Sequence, residues 1–339
     1  MNRVSIKDVA LQAKVSIATV SNVVNGKGRV SAQTARKVQD VIEQLQYYPS
    51  QSARNLKDKQ SYMIAVVVPY LKEAKLYDNP FYWKLIVGIE EGAKHKRFQV
   101  MLMDVNDDES FAFVQERHLD GMVVVGTFHN EPVLERISAI QKPVVFLDSY
   151  LEHPYLHQLL IDDEQGGYLG AKHLIELGHR QIGIMCGLLV NGGVHAARLK
   201  GVHTAMKEAG LPLDSLQIFE VHTSAETGRF LAHRINDQFP QLTATFSFSD
   251  IGAVGLIRGF HDKKVSVPAD MSVIGFDDMH YVEYMNPALT TIRQDVHMKG
   301  KLAVEMLMEM IDHPSVEARQ IRLPVELITR ESAGPCSRA

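Results

Sequence analysis

The sequence predicts a small all-α helix-turn-helix unit followed by a two-lobed α/β core of parallel sheets flanked by helices. Three observations predict it. Residues 1–60 carry ten Lys/Arg against four Asp/Glu, whereas the remainder carries 26 against 36, so a basic module precedes an acidic one. Apolar residues in the basic part recur at helical spacing, while the rest alternates short apolar runs with amphipathic stretches. A chain of 339 residues, 45% apolar and 22% charged, is long enough for two or three domains with cores of their own. The expected boundaries are 1–48 for the N-terminal unit, 49–60 for a hinge helix and linker, and 61–339 for the core.

Ile6, Val9, Ala10 and Ala13 keep helical spacing, as do Val20, Val23 and Val24. Lys14-Val15-Ser16 lies between them and is too short for anything but a tight corner; Ser16 suits the N-cap of a helix beginning at Ile17. A third helix starts at Ser31 with Val38, Val41, Ile42 and Leu45 on one face, and stops before Tyr47-Tyr48-Pro49. A helix pair joined by such a corner is the arrangement whose second helix enters the DNA major groove. The exposed side of that helix would show Ile17, Ala18, Ser21 and Asn22, flanked by Thr19 and Asn25. Small hydrogen-bonding side chains suit close approach to bases and phosphates, and no carboxylate occurs from Val9 to Gln39 to repel them. The segment Ser50–Lys57 could make two helical turns, too few to be stable alone in water.

From Met63 onward MIAVVVP, QVMLMDV, GMVVVG, PVVFLD, QIGIMCG, ATFSFS and MSVIGFDD read as strands covered on both faces. FYWKLIVGIEEGAKHK and EQGGYLGAKHLIELGH are amphipathic helices between them. About 270 residues is generous for one open parallel sheet, which predicts two lobes with a cleft between them. Ligands of such folds bind at the carboxyl ends of strands. The segment 104–120 leaves room only for a short helix.

Other chemistries find little support. No run approaches the ~18 apolar residues of a membrane span, and the start MNRVSIKD lacks a secretion signal, so a cytoplasmic protein without a membrane partner is expected. Two cysteines, Cys186 and Cys336, make neither a disulfide framework nor a zinc site. G-x-S-x-G, H-E-x-x-H, P-loop and Cys-x-x-Cys patterns are absent, so no enzyme activity, catalytic residue or cofactor is expected. His153 and His157 are split by Pro154, which argues against a metal pair, and Gly166, Gly167 and Gly170 follow Asp162-Asp163-Glu164, whose charge opposes a pyrophosphate.

The stretch VSIKDVALQAKVSIATVSNVVNGKGRVSAQTARKVQDVIEQLQYYPSQSARNLK resembles the DNA-binding headpiece of the LacI/GalR transcription repressors over nearly its whole length. The resemblance implies that Ile17, Ala18 and Asn22 read bases and that Ser16, Thr19, Ser21, Asn25 and Ser31 hold phosphates. It also implies that Ala53 and Leu56 lie on a hinge helix in the minor groove, with Leu56 wedged into the central base step. The family most often has Arg at the position of Asn22; Asn removes a bidentate guanine contact and makes adenine readout the expectation. HLIELGHRQIGIMCG, ARLKGV, MSVIGFDD and LTTIRQD are similar to the family's periplasmic-binding-protein-like core. By those motifs Asp148, Arg198, Asp277 and Gln294 are candidate effector ligands, since an Arg fork and acceptor carboxylates suit a polyol. Phe81 and Tyr82 would supply an apolar face. Ser249 and Thr223 stand where the family commonly has Asn and an aromatic residue, which should leave the pocket less aromatic and differently polar there.

Each candidate also has a plainer reading: Arg198 and Asp277 as an interlobe ion pair, Asp148 as a turn cap, Phe81 and Tyr82 as core. The resulting expectation is a homodimeric repressor of a near-palindromic operator, modulated by a small molecule between the lobes, a sugar or sugar derivative. A purine or a protein partner is the alternative signal. A transport solute-binding protein shares the core but would need a secretion signal and no basic headpiece. No leucine heptads follow RQIRLPVELITRES, which favours a dimer over a tetramer.

Overall fold

Serine hydroxyls set the helix starts of the N-terminal unit. The Asp8 carboxylate accepts from the Ser5 N–H and hydroxyl, both at 2.8 Å, at the start of α1 (Ile6–Ala13). Ser16 Oγ accepts from the Thr19 N–H at 3.1 Å and begins α2 (Ile17–Asn25), and Ser31 Oγ does the same with Thr34 at 3.2 Å for α3 (Ala32–Gln44). Such caps contribute about 1 kcal/mol each. The corner after α1 turns on Lys14, whose φ of 54° is left-handed. Val9, Ala13, Val20 and Val38 are fully buried where the three helices meet.

The computed structural model describes residues 4–25, 28, 30–47, 60–69, 79–105, 111–126, 131–151, 153, 155–190 and 192–337. The chain separates into two units, Met1–Ser61 and Tyr62–Ala339. The expected hinge helix, with Ala53 and Leu56, lies outside the described residues.

The second unit holds two six-stranded sheets built to one plan. The first has strand order β11-β5-β4-β3-β1-β2, from β1 (Met63–Pro69), β2 (Gln99–Val105), β3 (Gly121–Val125), β4 (Val144–Leu147), β5 (His157–Ile161) and β11 (Gln320–Leu323), all parallel. The second runs β12-β10-β9-β8-β6-β7, from β6 (Ile182–Cys186), β7 (Leu216–Glu220), β8 (Ala244–Ser247), β9 (Ser272–Asp277), β10 (Thr290–Arg293) and β12 (Glu326–Ile328). The sheets are parallel as expected, except that the edge strand β12 runs antiparallel to β10. Fully buried β3, β5, β6, β8 and β9 have helices on both faces, as parallel strands require.

The first lobe carries α4 (Pro80–His95), α5 (Ala112–Glu116), α6 (Glu131–Ala139) and α11 (Val296–Asp312). The second carries α7 (Asp163–Glu176), α8 (Val194–Glu208), α9 (Ala225–Gln238) and α10 (Asp250–Asp262). The α5 helix has five residues, in keeping with the short 104–120 segment. The chain crosses between lobes three times, after β5, after β10 and after β11. Both lobes share the doubly wound strand order in which ligands sit at the carboxyl ends beside the switch point.

Helices pair by close backbone approach. A Cβ on Gly167 of α7 would run into the Arg198 carbonyl of α8, and one on Gly201 of α8 into the Glu164 carbonyl. Gly201→Ala is therefore expected to lower unfolding free energy by about 1–3 kcal/mol through overpacking. The measurement is a lower urea midpoint at unchanged denaturant slope; a midpoint equal to wild type would contradict this close crossing.

Candidate functional site

On the N-terminal unit, α2 turns its apolar side inward through Val20 and leaves Ile17 46% exposed beside exposed Ser16 and Ala18. Thr19, Ser21 and Asn22 are partly exposed on the same helix. The Asn22 amide packs against Gly28, where φ is 86° and an added Cβ would lie 3.0 Å from Asn22 Nδ2. Ser16 and Ser31 are exposed, and each shares a 2.8 Å hydroxyl contact with Thr19 or Thr34. The backbone of Asn25 closes α2. One short helix thus presents an uncharged, hydrogen-bonding surface with an apolar tip, and two helix N-termini flank it, which suits phosphate.

In the core, buried charge gathers at the carboxyl ends of the strands. Asp148 follows β4 at φ 52°, Asp277 ends β9 at φ 112° and Asp278 follows at φ 52°. Side chains other than glycine rarely hold such backbone, and it concentrates at functional sites. Gln294, just after β10, donates through Nε2 to Asp277 Oδ1 at 2.6 Å. Lys299 of α11, fully buried, donates through Nζ to Asp148 Oδ1 (2.9 Å), Asp148 Oδ2 (2.8 Å) and Gln294 Oε1 (2.8 Å). The Phe81 ring lies 4.9 Å from that ammonium and packs edge-on to Tyr82. Burial, with Asp148 and Asp277 adding, pushes the Tyr82 phenol up to about 12.

Arg198 of α8 belongs to a second buried group. Its Nε donates to Asp163 Oδ1 at 2.7 Å and its Nη1 to the Phe248 carbonyl at 2.6 Å, with the guanidinium 3.6 Å over the Phe276 ring. The Tyr150 hydroxyl donates to the other Asp163 oxygen at 2.7 Å. The plainer reading of an Arg198–Asp277 ion pair is thereby corrected: Arg198 pairs with Asp163 at the first crossover, leaving Asp277 to Gln294. Burial raises the Asp163 carboxyl, against the pull of Arg198. His195, one turn before Arg198, stacks parallel to Phe248, and burial, with Arg198 adding, holds it neutral down to about 3. His195 Nδ1 and Tyr281 Oη are buried and have no hydrogen-bond partner among the described residues. Asp250, fully buried at the start of α10, accepts from Thr291 Oγ1 at 2.6 Å and the Met279 N–H at 2.7 Å.

Of the sequence-expected positions, Phe81, Tyr82, Asp148, Asp277 and Gln294 come together around Lys299, and Arg198 lies nearby on Asp163. Ser249 caps α10 by accepting from the Gly252 N–H at 3.3 Å, and half-buried Thr223 directly precedes Ser224, the cap of α9. Among the described residues no hydrogen bond joins either to the Lys299 group. Sequence reasoning passed over Lys299, although its spacing exposes it. Val296, Gly300, Ala303 and Leu307 share its helix face, so a lysine stands inside an apolar stripe. Asp163 read as an acidic helix start, and its partner is 35 residues away. Among the described residues no group of His, Cys, Asp or Glu could hold a metal, and no helix is long and apolar enough to cross a membrane.

The model of bacterial regulatory proteins of the lacI family matches residues 5–50, and that of the periplasmic binding protein-like domain matches residues 171–333. The HTH-type transcriptional regulator DegA of Bacillus subtilis is 33% identical over 98% of this chain and 99% of its own length. The chain belongs to the LacI family. It is also 33% identical to the HTH-type transcriptional repressor PurR of Photobacterium profundum, over 97% of this chain and 98% of the relative. Among solved structures, the Lac repressor dimer bound to operator and the anti-inducer ONPF matches with a TM-score of 0.84 at 27% identity, covering 98% of this chain and 100% of that one. A LacI-family regulator of Enterococcus faecium with bound ribose matches at 0.72 and 29% identity, covering 80% of this chain and 99% of that one. As a LacI-family protein the chain is a DNA-binding transcription regulator and not an enzyme.

The buried carboxyl at Asp277 makes stability depend on pH. Desolvation raises it from 3.8 to about 6, against Arg198 and Gln294. Between about pH 4 and 6 the native carboxyl keeps a proton that the unfolded chain has released, so native stability falls as pH rises, by up to about 3 kcal/mol. Denaturation of wild type and Asp277→Asn across pH 4–7 should show this fall as the difference between the two profiles. Parallel profiles would contradict it.

Proposed function

We propose that this LacI-family regulator is a homodimer that represses at a near-palindromic operator and is modulated by a small molecule, a sugar or sugar derivative, held between the two lobes. The observation that carries the effector reading is the set of buried aspartates in left-handed backbone at strand ends, Asp148 and Asp277, linked through Gln294 at a crossover. Arg198 donates to the carbonyl of Phe248, the residue before Ser249, and Phe81 and Tyr82 supply the apolar wall. Carboxylates and an amide match the paired donor and acceptor demand of hydroxyls. Ribose in one solved relative and cellobiose in the CelR complex agree with that chemistry. Thr223 is assigned the pocket's rim by the family motif alone.

A second reading, a purine, is favoured by the parallel stack of His195 on Phe248 and by the PurR relatives. A flat neutral ring suits that surface. In either case the mechanism is linkage: a molecule that prefers one arrangement of the lobes shifts the equilibrium at the crossovers and thereby operator affinity.

On DNA, Ile17, Ala18 and Asn22 are the proposed base readers. Ser16, Thr19, Ser21, Asn25 and Ser31 hold phosphates, and Ala53 and Leu56 occupy the minor groove. Asn22→Ala should cost about 1–3 kcal/mol at one symmetric base pair while the salt dependence of binding stays unchanged. Asn22→Arg should move preference there from adenine to guanine. Fluorescence anisotropy on an operator panel reads both; a uniform loss on every sequence would make Asn22 a phosphate contact instead.

The effector is testable through Arg198. Folded Arg198→Ala, whatever its own operator affinity, should lose the shift in that affinity that a metabolite panel of pentoses, hexoses, disaccharides, acidic sugar derivatives and purines produces in wild type. An intact response would remove Arg198 from the site.

A further inference from the structure

Lys299 is the one ammonium among the described residues whose side chain is fully buried. An ammonium has three N–H donors. Here they have three acceptors: both oxygens of Asp148 and the Gln294 carbonyl oxygen, at 2.8–2.9 Å. The Gln294 amide is used at its other end by Asp277 at 2.6 Å. Phe81 closes one side of the ammonium at 4.9 Å. Asp148 and Lys299 belong to the first lobe, Gln294 to the crossover between β10 and α11, and Asp277 to the second lobe. A continuous chain of charge-assisted bonds therefore runs from one lobe to the other through a crossover.

We propose that Lys299 is a tethered internal ligand of the cleft: its ammonium supplies Asp148 and Gln294 with the hydrogen bonds that a bound molecule would otherwise supply, and pins the crossover to both lobes. The chemistry that can compete follows. A neutral polyol that took Asp148 would leave a buried ammonium without its anion, and an unpaired buried charge is strongly unfavourable. A competing molecule has to bring an anionic group for Lys299 together with hydroxyl donors for Asp148, as an acidic sugar derivative does. Lys299 is thus the residue that decides which effectors the site admits. This consequence rests on the cleft being the effector site, whereas the tether itself does not.

The test is hydrogen–deuterium exchange on the full chain with no small molecule added, in wild type, Lys299→Met, Asp148→Asn and the double variant. Each single variant strands one charge, and the double removes both. The singles should exchange at least tenfold faster at amides 148–151, 277–282 and 294–296, with the interior strands β6 and β8 at wild-type rates. The double variant should return toward wild type at those three segments. If Lys299→Met does not fold, the comparison of Asp148→Asn with the double variant decides. Wild-type rates in a folded single variant, or a double variant no slower than Asp148→Asn, would overturn the tether. Failure of the effector experiment on Arg198 would leave this result standing, because no effector enters it.

Discussion

Two lobes joined by three short crossovers have no reason to keep one arrangement unless something at the crossovers holds them. Here buried charge does. At the first crossover Asp163 takes the Arg198 Nε and the Tyr150 hydroxyl; at the second, Gln294 stands between Lys299 and Asp277. Losing one partner of such a pair costs about 3–5 kcal/mol, since the survivor stays buried without compensation. Apolar packing shapes each lobe, but it is non-directional. The directional bonds at the crossovers fix which side chains of one lobe meet which of the other.

Those same bonds explain the unusual backbone. Asp148 and Asp277 sit in left-handed conformations that cost of order 1–3 kcal/mol each. Bonds to Lys299 and Gln294 hold them there, so the strand ends deliver carboxylates into the cleft rather than along the sheet. The helix pairs carry out the complementary task. Backbone-to-backbone contact at Gly167 and Gly201 makes α7 and α8 a stiff unit, and Arg198 and Asp163 ride on it.

Most of the fold was legible because burial on both faces leaves a plain mark. GMVVVG, QIGIMCG and MSVIGFDD could be little else than interior parallel strands, and the headpiece announced itself by cap serines and helical spacing. The strands not read out, HQLLI and LQIFE, are those whose apolar signal is diluted by Gln or Glu, at or next to sheet edges. In the cleft, the strand-end candidates Asp148 and Asp277 came from the family's motifs. Their pairings did not. Arg198 meets Asp163, 35 residues away, and Lys299 meets Asp148, 151 residues away, and sequence spacing carries no information about contacts between residues so far apart in the chain. Thr223 and Ser249 show the converse: motif position put them beside the ligand residues, while the hydrogen bonds around them belong to helix starts.

The paired hydroxyls at the starts of α2 and α3 bear on how a headpiece finds its grip. Ser16 with Thr19, and Ser31 with Thr34, each bring two hydroxyl protons to a pair whose mutual contact consumes one, while a serine lone pair takes the backbone N–H. Among the described residues the second proton of each pair has no further acceptor. If phosphates are held as proposed, the atoms that end the helices are also the atoms that clasp the strand, and the spacing of the clasps is set when the domain folds. Tuning the strength of the grip by mutation at these serines would therefore also tune the stability of the hand.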